Sequence, residues 1–267
     1  TGIFSMNNTL DCVQTAAHLP WAGLVDELAL LLQDTSVRIP PRLVQTLGAG
    51  ASLFVMPAID SYIAIAKLIT FTPANEGTNR PIIQGDVTVF DIATGQRRLI
   101  LDGPTVTARR TAAVSVLAAE RLACDPQGPL LIVGAGVQGK AHLEAFAAVL
   151  GTRHVMIASR SMASAERLVQ HAESLGIKAE LVLDANAALA SCPLAVTCTP
   201  GDGDDGGTLS EPVLVVEILS PSNQAQTWSN VWAYTSIPSV QELLVLHSVS
   251  IGAEVLRRGL DGAWPAD

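Results

Sequence analysis

The glycine-rich turn at residues 134–139 constrains the fold more than any other feature of the chain. It follows a short apolar run of strand character, Leu130–Val133, and precedes a helical pattern that is established by Ala141. The turn has the sequence Gly134-Ala135-Gly136-Val137-Gln138-Gly139, a complete G-x-G-x-x-G. The first glycine of such a turn permits a tight bend, the second lets a pyrophosphate approach the backbone, and the third lets helix and strand pack closely. The N–H groups and the dipole at the helix start attract the phosphates. The sequence therefore predicts a dinucleotide site formed by these six residues.

The composition is that of a folded protein with a sizeable core. Of the 267 residues, 49% are hydrophobic and 15% are charged, which fits one large or two modest domains. The net charge of −9, without a basic block, argues against a nucleic-acid partner. No apolar run has the length of a membrane span, so we expect a cytoplasmic protein without membrane contact. The four cysteines lack metal-ligand spacing, and we expect reduced thiols and no metal site.

The secondary-structure pattern changes near residues 124–128, which we interpret as a domain boundary. Before the boundary, short apolar runs alternate with turn signals, and this predicts the hairpins of a mixed sheet, with strands at 51–56, 61–71, 84–91 and 97–101. After it, strand and helix patterns alternate, as in parallel βαβ units, with strands at 130–133, 155–158, 179–183, 194–199, 213–219 and 231–235. The predicted fold class is α/β, with a Rossmann-type doubly wound parallel sheet.

Helices are predicted from apolar spacing and capping residues. The first spans 19–32 and a long alanine-rich one spans 107–122, after a turn at Asp102-Gly103-Pro104. Ser161 and Asp184 are expected to cap two further helices, and residues 239–247 are predicted to be helical.

The end of the second predicted Rossmann strand bears on cofactor choice. NAD-selective sites place a carboxylate there to hold the ribose 2′-hydroxyl. This strand ends in Ala158-Ser159-Arg160, without a carboxylate, and Ser159 and Arg160 could receive a 2′-phosphate instead. The pattern favours NADP(H) and leaves NAD(H) possible.

Three cationic residues occupy unusual positions in the first part of the chain. Lys67 lies in a nearly all-apolar strand, where it either ends in solvent or points into a cleft. Arg110 lies in the first turn of the predicted 107–122 helix, where a cation opposes the helix dipole unless an anionic ligand is bound there. Arg42 follows two prolines that would hold it rigidly. Each could also be a purely structural residue.

The chain resembles the ornithine cyclodeaminase/mu-crystallin family from about Arg42 to Pro200. The stretches that carry the resemblance come in the order and spacing of that family; they are Ala66-Lys67, Pro73-Ala74-Asn75, residues 91–95 (DIATG), Asp102-Gly103, residues 107–113 (TARRTAA), the GAGVQGKAH turn and residues 197–200 (TCTP).

The resemblance implies a homodimer with a two-domain chain. Residues 1–125, joined by the C-terminal tail at about 248–267, would form a mixed α+β domain for substrate binding and dimerisation. Residues 126–247 would form an NAD(P)-binding Rossmann domain, with the site in the cleft between the two.

The resemblance also implies roles for the three cations. Arg110 would pair with the substrate α-carboxylate, Arg42 would be a second carboxylate contact, and Lys67 would be the active-site lysine beside the reacting carbon. The nicotinamide ring would lie near Thr199 and Pro200.

The resemblance leaves several activities open. Cyclodeaminases carry a catalytic aspartate after the fifth Rossmann strand, but here no aspartate occurs from Ser220 until Asp261. The reading that we favour is an NAD(P)H-dependent reductase of a small cyclic imino acid, Δ1-pyrroline-2-carboxylate or Δ1-piperideine-2-carboxylate. The alternatives are ornithine cyclodeaminase, alanine dehydrogenase and a non-catalytic NADPH-dependent ligand binder.

Overall fold

Two compact units make up the described part of the chain. The computed structural model describes residues 9–75, 77–198, 214–219, 235, 240, 242–247, 253–259 and 261–265. The first unit holds residues 9–20 and Leu30–Arg109, and the second holds Trp21–Ala29 and the described residues from Arg110 onward.

The first unit is built on a five-stranded antiparallel sheet. Its strands are β1 (Leu43–Gly48), β2 (Ala51–Ile59), β3 (Ile63–Phe71), β4 (Ile83–Asp91) and β5 (Arg97–Asp102). They lie side by side in chain order, and every neighbouring pair is antiparallel. The predicted mixed sheet is therefore wrong in its pairing, because even the longest connection, residues 72–82, is shorter than the crossover that a parallel pair needs. No strand was predicted at β1, whereas the bounds of the other four strands were predicted to within a few residues.

Register divides the sheet into two faces. Because successive side chains of a strand alternate between faces, Lys67 shares one face with its cross-strand partners Met56 and Val87 and with Ile69. Leu68 lies on the opposite face, in a row with Val55 of β2 and Leu43 of β1. We call the first the lysine face and the second the leucine face.

Three helices accompany this sheet in sequence. α1 (Cys12–His18) begins at a capping box, in which the Asp11 side chain accepts from the Gln14 N–H and the Gln14 side chain accepts from the Asp11 N–H. α2 covers Trp21–Leu31, close to the predicted 19–32. α3 covers Gly103–Leu122, four residues longer at its start than the predicted 107–122.

The early start of α3 has a local cause. The Asp102 carboxylate accepts a hydrogen bond from the Thr105 N–H at 2.8 Å, as a helix N-cap does. Pro104 has no N–H to leave unsatisfied in the first turn, and its ring favours a helical φ. The expected turn at residues 102–104 is thus the first turn of the helix.

The second unit contains a four-stranded parallel sheet. Its strands are β6 (Leu130–Val133), β7 (His154–Ala158), β8 (Lys178–Leu181) and β9 (Leu194–Thr197), in the spatial order β8-β7-β6-β9. Counted within the unit, this order is 3-2-1-4, the beginning of the Rossmann order. The strand order reverses between β6 and β9, which makes the carboxyl ends of these two strands the expected ligand position.

Helices cover both faces of the parallel sheet. α4 (Val137–Val149) lies on the Ile132 face, because a Cβ at Gly139 would stand 3.4 Å from Ile132 Cγ2. α6 (Ala185–Leu189) lies on the other face, where Leu131 packs against Ala188. This confirms the doubly wound architecture. The predicted caps are also present, since Ser161 and Asp184 side chains accept from backbone N–H groups at the starts of α5 (Met162–Ser174) and α6.

Three strands near the C-terminus form a separate small sheet. β10 (Leu214–Leu219) pairs parallel with β11 (Glu242–His247), which pairs antiparallel with β12 (Ala253–Arg257). The prediction of a helix at 239–247 is wrong, because the run from Leu243 to Leu246 is continuously apolar and periodicity alone does not separate such a strand from a helix. Residues 231–234 of the predicted strand 231–235 lie outside the described residues, and Thr235 is helical.

The two units divide the chain differently from the predicted boundary. The division falls inside α3, between Arg109 and Arg110, rather than near residue 125. The described residues after 252 group with the second unit rather than with the first. The functional assignment of the two domains stays a prediction.

Candidate functional site

The glycine turn has the geometry that close packing of a dinucleotide loop requires. Gly134 has a φ of +108°, which side chains disfavour, and a Cβ there would stand 2.8 Å from the Cys198 carbonyl oxygen. A Cβ at Gly139 would overlap the Gly134 carbonyl oxygen. The Cys198 N–H also donates to the Val133 carbonyl at 2.7 Å, so the turn rests on the end of β9. Both positions thus require glycine for steric reasons.

Gly136 is placed for a different purpose. It is the N-cap of α4 and is exposed, and among the described residues a Cβ there would meet nothing within 4 Å. Val137 after it is 74% exposed. The first N–H groups of α4 therefore face open space, as a bound pyrophosphate needs.

Gln138 brings a polar group to the same helix start. Its Oε1 is buried and has no hydrogen-bond partner in the described part of the protein. A buried acceptor without a donor costs free energy unless a ligand or water supplies one. With Gly136 and Val137, this acceptor fits a ligand that carries hydroxyl or amide donors beside its phosphates.

The residues proposed to select the cofactor lie just beyond β7. Ser159 is partly buried, and its Oγ accepts from the Ser161 N–H at 3.3 Å, whereas Arg160 is exposed. Thr199 and Pro200 lie outside the described residues.

Lys67 and Arg42 both belong to the first unit. Lys67 lies on the lysine face, opposite Met56 of β2. Arg42 comes directly before β1, which begins at Leu43 opposite Val55. Both side chains are partly buried.

Arg42 has an unsatisfied buried nitrogen. Its Nε is buried and has no hydrogen-bond partner in the described residues, and the desolvation that accompanies burial lowers the pKa of the guanidinium. Arginine nevertheless stays charged at neutral pH. The arrangement leaves a desolvated cation with an unused donor, which a carboxylate could fill.

Arg110 lies on α3 and is exposed. It follows Thr107 by three residues, so the two side chains leave nearly the same face of the helix. Its neighbour Arg109 has a structural contact, because Nε donates to the Leu19 carbonyl at 2.7 Å.

The sequence did not indicate two side-chain groups that the structure forms. Lys67 Nζ donates to Thr107 Oγ1 at 2.7 Å, across 40 residues of sequence. In the second unit, buried His142 lies between Ser115 of α3 and Gln138 of α4, and its Nδ1 is 3.7 Å from Cys198 Sγ. The burial that removes water from Cys198 raises its pKa to about 12, so this thiol is not a nucleophile at neutral pH. The only sequence signal for His142 was its place in the GAGVQGKAH turn.

The described residues contain neither a group of metal ligands nor a helix of membrane-spanning length and apolarity. Within the ranges given above, His, Cys, Asp and Glu side chains do not gather in groups of three or more that could hold a metal ion. Among the same residues, helices with the length and apolarity of a membrane span are absent.

The second unit has the features of the Rossmann class of dinucleotide-binding folds: the strand order, the glycine turn and the helix that follows it. Comparison of the sequence with known families identifies the group within this class. The chain belongs to the ornithine cyclodeaminase/mu-crystallin family, which matches residues 11–224. The resemblance deduced from the motifs is thereby confirmed.

Curated relatives of the chain include imino-acid reductases. Δ1-pyrroline-2-carboxylate reductase 1 of Burkholderia multivorans is 37% identical over 171 residues, 62% of this chain and 55% of that protein. Ketimine reductase mu-crystallin of Mus musculus is 36% identical over 117 residues, 43% of this chain and 37% of that protein. The chain spans about half the length of the reductases that it matches.

Solved structures share the fold. The Thermococcus litoralis Δ1-pyrroline-2-carboxylate reductase in complex with NADH and L-proline aligns with a TM-score of 0.60 at 18% identity, over 78% of this chain and 72% of that one. An archaeal alanine dehydrogenase dimer with bound NAD aligns with a TM-score of 0.62 at 23% identity, over 78% and 63%. At these identities the likeness concerns the fold alone.

Proposed function

We propose that this protein reduces the C=N bond of a small cyclic imino acid, Δ1-pyrroline-2-carboxylate or Δ1-piperideine-2-carboxylate, to the corresponding cyclic amino acid. The observation that carries the proposal is the 37% identity to enzymes named for this reaction. Arg42 and Lys67 would bind the substrate carboxylate, and the glycine turn would bind the cofactor. In the balanced reaction, C2 of the ring gains a hydride and the ring nitrogen gains a proton.

Arg42, Lys67 and Arg110 are the proposed substrate residues. A carboxylate bound to Arg42 would use the buried Nε donor and offset the desolvation of the guanidinium. Lys67 would hold the carboxylate or the imine nitrogen through its N–H groups and relay the proton to that nitrogen. Arg110 would form the second arm of the carboxylate clamp. Holding the ring in this way supplies rate by positioning.

The cofactor is the second part of the proposal. Reduced nicotinamide dinucleotide supplies the hydride when it is bound. Residues 134–139 would hold its pyrophosphate, and Thr199 and Pro200 would lie near its nicotinamide ring. NADPH is favoured over NADH because exposed Arg160 follows β7 at the position where NAD-selective sites carry a carboxylate.

A steady-state assay tests the proposal directly. Purified protein is mixed with Δ1-pyrroline-2-carboxylate and with NADPH or NADH in parallel, and the absorbance of the reduced nicotinamide is followed. We expect imine-dependent oxidation, faster with NADPH. Proline and ammonia formed from ornithine with NAD, in place of imine reduction, would identify a cyclodeaminase and contradict the proposal.

Arg110→Ala separates substrate binding from cofactor binding. We expect imine reduction to fall by at least a hundredfold, because the variant loses a charge-assisted contact to the carboxylate, while the NADPH dissociation constant changes by less than twofold. Turnover rates and nucleotide fluorescence titrations measure the two effects. Loss of NADPH binding in this variant would show that Arg110 is not a substrate residue.

A homodimer through the leucine face is a further part of the proposal. Leu43 and Leu68, in one row across β1–β3, are 58% and 48% exposed, and Phe90 is 36% exposed on the same face. A row of large apolar side chains on a sheet face is typical of a surface that pairs with another copy of the chain.

A further inference from the structure

Thr107 makes two hydrogen bonds of opposite direction. Its hydroxyl donates to the Gly103 carbonyl at 2.7 Å, four residues earlier on α3. The same oxygen accepts from Lys67 Nζ at 2.7 Å. A hydroxyl has one proton and two lone pairs. Because its proton is directed at Gly103, Thr107 presents lone pairs to Lys67.

The close approach that allows this contact depends on Gly103, at the start of α3. A Cβ at Gly103 would stand 2.5 Å from Ile69 Cδ1 and 2.6 Å from the Gly85 carbonyl oxygen. Gly85 itself has a φ of +134°, and a Cβ there would overlap the Leu68 carbonyl oxygen. The first turn of α3 therefore lies directly on the lysine face, with Thr107 one turn further along.

Lysine needs such a fixed partner more than most residues do. Its ammonium is a point charge on a flexible four-carbon stem with three rotatable donors. The cross-strand neighbours of Lys67 are the apolar Met56 and the buried Val87. The short hydrogen bond to Thr107 gives the end of the stem a fixed partner on α3.

We propose that Thr107 is a positioning residue for Lys67, a role that rests on the proposed function of Lys67 in imine reduction. Thr107 acts through the lysine, without contact to the substrate. It holds the ammonium at one place above the lysine face. The hydrogen bond from the Thr107 hydroxyl to the Gly103 carbonyl fixes the hydroxyl as an acceptor. The lysine ammonium therefore keeps its position from one turnover to the next.

Three variants on α3 test the kinetic consequence. Thr107→Val keeps the β-branched shape and removes the acceptor, Thr107→Ser keeps the hydroxyl, and Thr105→Val makes the same substitution at a control position two residues earlier. We expect kcat of imine reduction to fall about tenfold to a hundredfold in Thr107→Val, as for a lost hydrogen bond to a charged group. Thr107→Ser should recover most of the rate, and Thr105→Val should stay within twofold of wild type, with NADPH affinity unchanged in all three. Equal losses in Thr107→Val and Thr105→Val, or no recovery by serine, would overturn the proposal.

A second measurement does not require turnover. The chain has three lysines, Lys67, Lys140 and Lys178. Lys140 and Lys178 have side chains that are 57% and 67% exposed and serve as internal standards. Under a limiting amine-reactive reagent, peptide mass spectrometry should show Lys67 modified several times faster in Thr107→Val than in wild type, with the two standards unchanged. An unchanged Lys67 rate would show that Thr107 does not hold the lysine.

The two measurements separate the new inference from the proposed function. If the wild-type protein does not reduce the imine, or if Lys67→Met reduces it at the wild-type rate, the proposed function of Lys67 fails. The reactivity of Lys67 would still report whether Thr107 holds it. If Lys67→Met is inactive and Thr107→Val is fully active, the proposed function stands and the positioning role is overturned.

Discussion

At the scale of single residues, the two glycines that end the dinucleotide turn differ in what limits them. Gly139 is restricted by the protein itself, since a Cβ would overlap the Gly134 carbonyl, whereas Gly136 has open space around it. We therefore expect any restriction at Gly136 to come from outside the described residues, as from a bound pyrophosphate. A matched pair of alanine variants can distinguish the two kinds of constraint.

We expect Gly139→Ala to lower the free energy of unfolding by about 1–3 kcal/mol, the usual cost of overpacking. Gly136→Ala should change it by less than about 0.5 kcal/mol and still weaken NADPH binding at least tenfold. Thermal unfolding without ligand and nucleotide titration measure the two quantities. A Gly136→Ala variant with wild-type affinity would remove the phosphate site from this turn.

Arg160 supplies the positive charge on which the proposed preference for NADPH over NADH depends. We expect Arg160→Ala to raise the NADPH dissociation constant at least tenfold and that of NADH by less than twofold, because only NADPH has a 2′-phosphate for the guanidinium to bind. Arg167→Ala, which removes another surface arginine whose partner is Ser164 on α5, is the control. Equal weakening of both cofactors would eliminate the 2′-phosphate assignment.

At the scale of elements, local signals were sufficient for the Rossmann strands and failed where a segment depends on distant partners. The strand before the glycine turn was predicted with its observed bounds, and Ser161 and Asp184 were found as caps, because each signal lies within a few residues of the feature. The capping box of α1, formed by Asp11 and Gln14, is visible in the sequence, yet no helix was predicted there. β11 was mistaken for a helix because its pairing partners β10 and β12 are not recognisable from its own residues.

The candidate site shows the same limit. The glycine turn is a continuous motif, and its residues were identified from sequence. The contact between Lys67 and Thr107 joins a strand to a helix 40 residues away, and no pattern within either segment announces it. Lys67 was singled out as an unusual cation, but its apolar neighbours Met56 and Val87 followed only from the strand register.

His142 joins α3 and α4 in a way that depends on pH. Nδ1–H donates to the Gln138 carbonyl at 2.8 Å, so Nε2 accepts from the Ser115 hydroxyl at 2.9 Å, which requires a neutral ring. Burial lowers the pKa of His142 below its ordinary value of 6.5. The unfolded chain therefore binds a proton at a higher pH than the folded protein does. The stability due to neutral His142 is fully present above about pH 6.5 and is lost as the pH falls towards the lowered pKa.

We expect the melting temperature of the wild-type protein to fall between pH 7 and pH 5 by more than that of His142→Gln. The glutamine amide can accept from Ser115 and does not titrate. The other four histidines, His18, His154, His171 and His247, remain in both proteins and cancel in the difference. Parallel melting curves for the two proteins across this range would reject the assignment.

At the scale of the whole molecule, the leucine face is where a second copy of the chain is proposed to bind. We expect Leu68→Glu to convert a dimer into a monomer, because a second carboxylate opposite Asp86 would lose its hydration in the interface. Leu183→Glu is the control, since Leu183 is 84% exposed in the second unit. Light scattering of the eluted protein gives the mass. A wild-type monomer, or a Leu68→Glu dimer, would contradict the proposed interface.

The support of the glycine turn by the end of β9 has a consequence for the order of folding. Gly134 packs against the Cys198 carbonyl, and the Cys198 N–H bonds to Val133, so residues 64 positions apart in the chain complete one turn. During synthesis, β6, the turn and α4 emerge from the ribosome well before β9 does. The nascent protein therefore completes the glycine turn only when Cys198 has emerged and β9 has docked, however early the glycine motif itself is made.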